Sequence, residues 1–130
     1  MKSQRALFLI AALLSISFAS FSQSLTFCDK ADAGGKPVNA NSVFTVAKNG
    51  GPVTMLFTLP AASKLTSVSF DVYKIDNGKE VFQSTLKQPV NGSQNSVSKQ
   101  MIFYNEGRYR VYVFDDQDKQ LSKGEVLIKK

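Results

Sequence analysis

Hydrophobic and polar residues alternate along most of the chain beyond residue 50. The alternation has a period of two and is clearest in the segments 53–59, 68–73, 97–103 and 109–114. Successive side chains of a β-strand point to opposite faces, so this pattern predicts strands with one buried face and one wet face. No window after the first 22 residues has the 3.6-residue period of an amphipathic helix. The pattern therefore predicts an all-β protein.

Turn signals separate the alternating segments. The dipeptides Asn49-Gly50 and Asn77-Gly78 supply the positive φ angles that tight hairpin turns need. Further turns are predicted at 105–107 and 115–119. The predicted strands around these turns are Val43–Ala47, Val53–Leu59, Ser67–Ile75 and Glu80–Leu86, with longer connections at 29–41 and 87–95.

About seven to eight short strands, the first near Ser24–Cys28, predict a single antiparallel β-sandwich over residues 23–130. Such a sandwich buries one face of each sheet, and the alternation supplies those faces. The predicted core consists of Phe44, Val46, Val53, Met55, Phe57, Leu59, Val68, Phe70, Val72, Phe82, Met101, Phe103, Tyr109, Val111, Val113, Val126 and Ile128.

The last two strands resemble the closing hairpin of an immunoglobulin-like or fibronectin type III-like domain. The resemblance rests on the segment 107–113, a polar turn, and the segment 124–128. It implies an immunoglobulin-like sandwich in which Tyr109 occupies the tyrosine corner and its hydroxyl bonds a nearby backbone group. Val111 stands where the second cysteine of an antibody domain would be, so the resemblance implies the fold alone.

A narrower resemblance covers roughly residues 50–130. The segments 52–60, 70–73 and 77–81 are similar to the immunoglobulin-like domain of the bacterial flagellar hook-capping protein and to the C-terminal sorting domain of type IX secretion cargo. This similarity implies a bacterial envelope setting.

The N-terminus has the three parts of a secretory signal peptide. Lys2 and Arg5 precede the apolar run 6–14, and small residues follow up to Ser22. Cleavage after Ser22 is favoured, and cleavage after Ala19 is the alternative. A membrane anchor is a further alternative, but a spanning helix needs about 20 apolar residues. The prediction is a signal peptide at 1–22 and a secreted, periplasmic or cell-envelope protein without a transmembrane span in the mature chain.

Composition removes several chemistries. The 130 residues are 43% hydrophobic and 20% charged, which is typical of one globular domain. The chain has no histidine and one cysteine. It therefore has no Ser-His-Asp triad, no histidine-ligated zinc and no intramolecular disulfide.

The chain is basic, with 16 lysines and arginines against ten acidic residues. Removal of residues 1–22 leaves 14 against ten. The lysines are scattered and only Lys129 and Lys130 are adjacent. Because nucleic-acid binding needs a clustered patch, the sequence predicts a solvated surface and no nucleic-acid partner.

The single cysteine, Cys28, has three interpretations. A small, half-buried apolar residue in a strand is favoured. An intermolecular disulfide, giving a homodimer, is the second, because an unpaired cysteine in an exported chain can pair between chains. Lipidation is the third, although Phe27 stands where a lipobox has a small residue.

The acidic turn Asp115–Asp118 is the best candidate for a metal site, because calcium is bound by several loop oxygens. An EF-hand loop would need glycine and glutamate where the chain has Leu121 and Leu127. A solvated hairpin turn is favoured, and no metal or cofactor is assigned.

The glutamates do not predict an acid-base pair. Glu80, Glu106 and Glu125 are spread over three strand ends, and no nucleophile, base and orienting group can be assembled. The sequence assigns no catalytic residue and predicts that the protein is not an enzyme.

Tyr73, Arg110 and Tyr112 are the candidate binding residues. Their strand parity predicts that they point outward, and the strand order of an immunoglobulin-like sheet would put them on one outer face. Tyrosine and arginine are enriched at interfaces. The prediction is an exported, non-catalytic protein-binding or cell-envelope interaction module with a protein partner still to be identified. A self-associating structural subunit is the second hypothesis, and a secreted enzyme or inhibitor is the third.

Overall fold

A computed structural model describes residues 25–59, 64–91 and 94–130, and these form ten strands. The first five are β1 (Leu25–Cys28), β2 (Lys30–Ala31), β3 (Pro37–Val38), β4 (Val43–Thr45) and β5 (Gly51–Thr58). The others are β6 (Ser67–Asp76), β7 (Lys79–Pro89), β8 (Ser96–Phe103), β9 (Gly107–Phe114) and β10 (Gln120–Lys129). The signal peptide predicted at 1–22 lies outside the described residues. Among those residues, no helix is long and apolar enough to cross a membrane.

The strands form three sheets. A five-stranded sheet has the order β4-β10-β9-β6-β7, a three-stranded sheet has the order β1-β5-β8, and β2 pairs with β3. The all-β prediction is confirmed. The prediction of a wholly antiparallel arrangement is wrong, because β4 runs parallel to β10, with Phe44 opposite Ile128.

The turn at Asn49-Gly50 does not close a hairpin. It joins β4 of the five-stranded sheet to β5 of the three-stranded sheet. The turn itself is present, since the Gly50 amide donates to the Ala47 carbonyl at 2.8 Å and Gly50 has a φ of +100°. Turn residues therefore marked the change of direction correctly but did not determine which strand became the neighbour.

Side chains from the two large sheets form one buried hydrophobic cluster. It contains most of the predicted core, with Phe44 and Met101 partly buried against it. Phe82 was placed in the core wrongly and is 42% exposed. The register between β6 and β7 shifts between Val72 and Tyr73. This bulge places Phe82 opposite Tyr73. In the part of β7 that precedes the bulge, it exchanges the side chains that face the core with those that face outward.

Two local predictions are confirmed by the geometry. Asn77 and Gly78 have φ angles of 52° and 78°, as the tight turn between β6 and β7 requires. The Tyr109 hydroxyl donates a hydrogen bond of 2.8 Å to the backbone carbonyl of Asn105. These contacts fix the ends of β6, β7 and β9 at one end of the fold.

A short hairpin of β2 and β3 covers the outer face of the three-stranded sheet, where a connection without strands was predicted. The Thr54 hydroxyl donates to the Asp29 carbonyl at 3.1 Å, and the Asp29 amide donates to the Val38 carbonyl at 2.9 Å. Cys28 lies in β1 opposite Thr54, which confirms the predicted strand position. It is fully buried, however, and not half-buried as predicted.

Candidate functional site

The structure brings the three predicted binding residues together on the outer face of the five-stranded sheet. Tyr73 lies opposite Arg110 in the pairing of β6 with β9, and the rings of Tyr73 and Tyr112 meet edge to face at 5.6 Å. The predicted shared face is correct. The two tyrosines are only 4% and 3% exposed, however, so they do not form an open aromatic patch.

Arg110 is the centre of an ion-pair network. Its guanidinium donates to Glu80 at 2.7 Å and to Glu125 at 2.6 Å and 2.8 Å. The Tyr112 hydroxyl donates to the same oxygen of Glu80. Burial and the bond to Glu80 raise the pKa of Tyr112. Burial acts against the charged form of Arg110, but its bonds to Glu125 and Glu80 raise its pKa overall.

This network ties β7, β9 and β10 together. Arg110 and Tyr112 already donate to Glu80 and Glu125, so an incoming ligand would compete with these existing bonds. The arrangement favours a structural role for these contacts. The binding role of Tyr73, Arg110 and Tyr112 stays a prediction.

A second site lies on the other side of the molecule, between the tip of the β2–β3 hairpin and the start of β8. It is an open cleft of about 420 Å³, called here the hairpin cleft. Its lining residues are Ala31, Asp32, Ala33, Gly34, Gly35, Leu56, Gln88, Gln94, Asn95, Ser96 and Ser98.

The hairpin tip is held in shape by one carboxylate. Asp32 Oδ1 accepts hydrogen bonds of 2.9 Å from the amides of Gly34 and Lys36. Gly35 has a φ of +77°, and a Cβ added there would lie 2.7 Å from Ser96 Oγ. Glycine is therefore favoured at this position by the turn, and an added Cβ would require the Ser96 hydroxyl to rotate away.

The opposite wall of the cleft is held by Gln94. Its Oε1 accepts from the Asn91 amide at 2.7 Å, and its Nε2 donates to the Ser96 carbonyl at 3.2 Å. Leu56, which is 3% exposed, lies at the bottom on β5, and Ser98 is exposed at the side. The cleft therefore combines an apolar floor with walls of hydroxyl, amide and backbone groups.

The sequence did not reveal the hairpin cleft. Its residues lie in the two connections 29–41 and 87–95 and at outward-facing positions of β5 and β8, which are far apart in the sequence. The available signal was the concentration of Asp, Gly, Asn, Gln and Ser in two separate connections. Only the pairing of β8 with β5 shows that the two connections meet.

The acidic turn at Asp115–Asp118 uses its carboxylates internally. Asp115 Oδ1 accepts from the amides of Gln117 and Lys119 at 2.8 Å and 2.9 Å. Asp116 Oδ2 accepts from the amide and hydroxyl of Thr66 at 3.0 Å and 2.6 Å. Within the described part of the chain, no group of three or more Cys, Asp or Glu side chains is placed to hold a metal ion.

No protein-family model matches the chain, and no curated protein sequence matches it. Similar solved structures include three of superoxide reductase (neelaredoxin) from Ignicoccus hospitalis. The first has a TM-score of 0.45 and 10% identity and covers 83% of each chain. The second has a TM-score of 0.42 and 10% identity, over 87% of this chain and 89% of the other. The third has a TM-score of 0.42 and 9% identity, over 85% and 87%.

These comparisons correct the family and function predicted from the sequence. Superoxide reductase has a different β fold from immunoglobulin and fibronectin type III domains, so the predicted immunoglobulin-like membership is wrong, as are the weaker hook-capping and sorting-domain resemblances. The similar structures are named as reductases. The predictions of a non-catalytic protein-binding or envelope module and of a protein that is not an enzyme are wrong on the same finding, while self-association stays a prediction. At these identities and TM-scores, the similarity assigns no reaction to this chain.

Proposed function

We propose that this chain is an exported β-sandwich protein that binds a small, neutral, polyhydroxylated ligand in the hairpin cleft. A mono- or disaccharide is the ligand class that fits this chemistry. Export is supported by the basic, apolar and small-residue segments of residues 1–22. The sandwich is supported by the single hydrophobic cluster that the two large sheets share.

The observation that carries the proposal is the mixture of groups around the cleft. Its walls carry the amides of Gln88 and Asn95 and the hydroxyls of Ser96 and Ser98. Amides and hydroxyls both donate and accept hydrogen bonds, as sugar hydroxyls do. The volume of about 420 Å³ lies within the range of small-molecule sites.

The charge of the cleft supports a neutral ligand. Asp32 is the single charged residue in the lining, and its Oδ1 is already bonded to two backbone amides. No lining lysine or arginine would pair with an anionic group. A ligand bearing a phosphate or carboxylate would lose its hydration without gaining a charged partner.

Leu56 adds little to recognition. It lies below the polar walls and is nearly fully buried, so a ligand would be held mainly by hydrogen bonds to the walls. An open site with few contacts predicts weak binding, with dissociation constants of about 10 μM to 1 mM.

The test is calorimetric titration of the purified protein with maltose, cellobiose and N-acetylglucosamine, alongside glucuronate and glucose 6-phosphate as charged probes. The proposal predicts binding of at least one neutral sugar and weaker or no binding of the charged ones. Tighter binding of a charged probe, or no heat with any neutral sugar at millimolar concentration, contradicts it.

Two variants on one strand locate the site. Ser98→Trp places a large ring in the cleft, while Gln100→Trp places it two residues further along β8 on the same face, outside the cleft. Ser98→Trp should weaken sugar binding at least tenfold, and Gln100→Trp should leave it within twofold. Equal effects of the two would place the sugar elsewhere.

A further inference from the structure

Lysines that are scattered in the sequence converge at one end of the fold. Asp76 and Lys79 close the turn between β6 and β7, and Ile75 of β6 lies opposite Arg108 at the start of β9. Strand pairing therefore places the β6–β7 turn beside the β8–β9 turn. Both turns lie at the same end of the five-stranded sheet.

The end of β10 and the turn after β4 join the same surface. Gly107, the first residue of β9, lies opposite Ile128 near the end of β10. The Lys130 ammonium donates to the Lys48 carbonyl at 2.9 Å. The surface is called here the cationic end, and its basic residues are Lys48, Lys74, Lys79, Arg108, Lys129 and Lys130.

The cationic end carries more basic than acidic residues. Six of the 14 basic residues of the described chain lie there. The acidic residues at this end are Asp76, Glu80, Glu106 and Glu125, the last of which pairs with Arg108. The surface therefore has an excess of two positive charges, six basic against four acidic residues. Five of the six basic side chains are exposed, and Lys74 is half-buried.

The cationic end contains a groove. It has a volume of about 410 Å³ and is lined by Glu106, Gly107, Leu127, Ile128, Lys129 and Lys130. The row of strand ends beside it spans about 19 Å, at about 4.8 Å per strand. A row of cations beside a concave surface suits an extended chain carrying regularly spaced negative charges.

We propose that the cationic end binds a linear acidic polysaccharide, independently of the hairpin cleft. A flat anionic bilayer would contact the exposed lysines of the cationic end but would not enter the groove. Single-stranded nucleic acid is held largely by stacking on several aromatic side chains. Among the described residues at these strand ends, Tyr104 is the exposed aromatic, at 62%.

The test is binding of the purified protein to heparin and to polygalacturonate as a function of salt. Binding should weaken steeply with salt, because neutralised chain charges release counterions. The double variant Lys129→Gln/Lys130→Gln should weaken binding at least tenfold. The matched control, Lys87→Gln/Lys119→Gln, removes two exposed lysines from other parts of the surface and should change it less than twofold.

Glu106 gives a test in the opposite direction. Because its carboxylate lines the groove, Glu106→Gln should tighten polysaccharide binding by about two- to fivefold. Thermal unfolding of each variant establishes that it is folded. Equal losses of polysaccharide affinity in the two double lysine variants, or no binding to either polymer at 50 mM salt, would overturn the proposal. Tighter binding to a poly-dT oligonucleotide or to vesicles rich in phosphatidylglycerol would overturn the choice of polysaccharide.

Discussion

The Arg110 guanidinium lies 2.7 Å from Glu80 Oε2, although the two residues are on strands that do not pair with each other. Arg110 is on β9 and Glu80 is on β7, and β6 runs between them. Tyr73, opposite Arg110 on β6, lies on the same face and is almost fully buried. The ion pair thus spans three strands and holds the outer face of the sheet together.

Loss of this arginine should destabilise the protein more than loss of its neighbour. Arg110→Met removes charge-assisted bonds to Glu80 and Glu125 and leaves both carboxylates without their main partner, which should cost about 2 kcal/mol. Arg108, at 3.7 Å from Glu125 and 55% exposed, serves as control, and Arg108→Met should cost less than about 0.5 kcal/mol. Urea unfolding measures both. Equal losses of unfolding free energy in the two variants would show that the ion-pair network of Arg110 adds no more stability than an exposed surface charge.

The turn between β6 and β7 depends on a glycine conformation. Gly78 has a φ of +78°, and a Cβ there would meet no atom within 4 Å. Gly78→Ala should therefore cost about 1 kcal/mol of unfolding free energy from backbone strain alone. Gly34→Ala is the matched control, because Gly34 has no positive φ and an added Cβ makes only ordinary contact at 3.5 Å. A smaller loss at Gly78 than at Gly34 would contradict the turn geometry.

Asp116 should contribute to stability in a defined pH range. Its hydrogen bonds from the Thr66 hydroxyl and amide hold its pKa below the ordinary value of 3.8. Because the folded state holds the proton less tightly than the unfolded chain, the stabilisation is present above about pH 4 and is lost as pH falls through the lowered pKa. Thr66→Val should raise the pKa of Asp116 in an NMR titration. An unchanged pKa would show that the hydroxyl does not bond the carboxylate in solution.

Cys28 should be unreactive while the fold is intact. Its thiol is buried beside the β2–β3 hairpin and donates to the Thr54 carbonyl at 3.7 Å, and burial raises the pKa of the thiol. Because the thiolate is the reactive form, labelling by dithionitrobenzoate should be at least about a hundredfold slower than in urea-unfolded protein. The homodimer through Cys28 then forms only if the hairpin opens. A disulfide-linked dimer of native protein on a non-reducing gel would contradict the buried position.

Local sequence patterns were sufficient where neighbouring residues determine the structure. The period-two segments became strands and Asn77-Gly78 became a tight turn. The outward direction of Tyr73 and Tyr112 also followed from parity, whereas their contact depends on the pairing of β6 with β9. These features depend on backbone periodicity and turn conformations, which the sequence carries directly.

Features that depend on which strands become neighbours were not predictable. The bulge beside Tyr73 moved Phe82 out of the core, and β4 joined β10 in parallel rather than forming a hairpin with β5. Both candidate surfaces come from such pairings. The hairpin cleft needs two distant connections to meet, and the cationic end collects lysines that are far apart along the chain.

The most direct test of the proposed function is a residue-by-residue NMR titration of the ¹⁵N-labelled protein with a neutral disaccharide such as cellobiose or maltose. Sugar binding in the hairpin cleft predicts saturable amide shifts concentrated at Gly34, Gly35, Ser96 and Ser98, with the amides of Arg110 and Tyr112 unchanged. Saturable shifts centred on Arg110 and Tyr112, or none at the hairpin cleft up to tens of millimolar sugar, would contradict it.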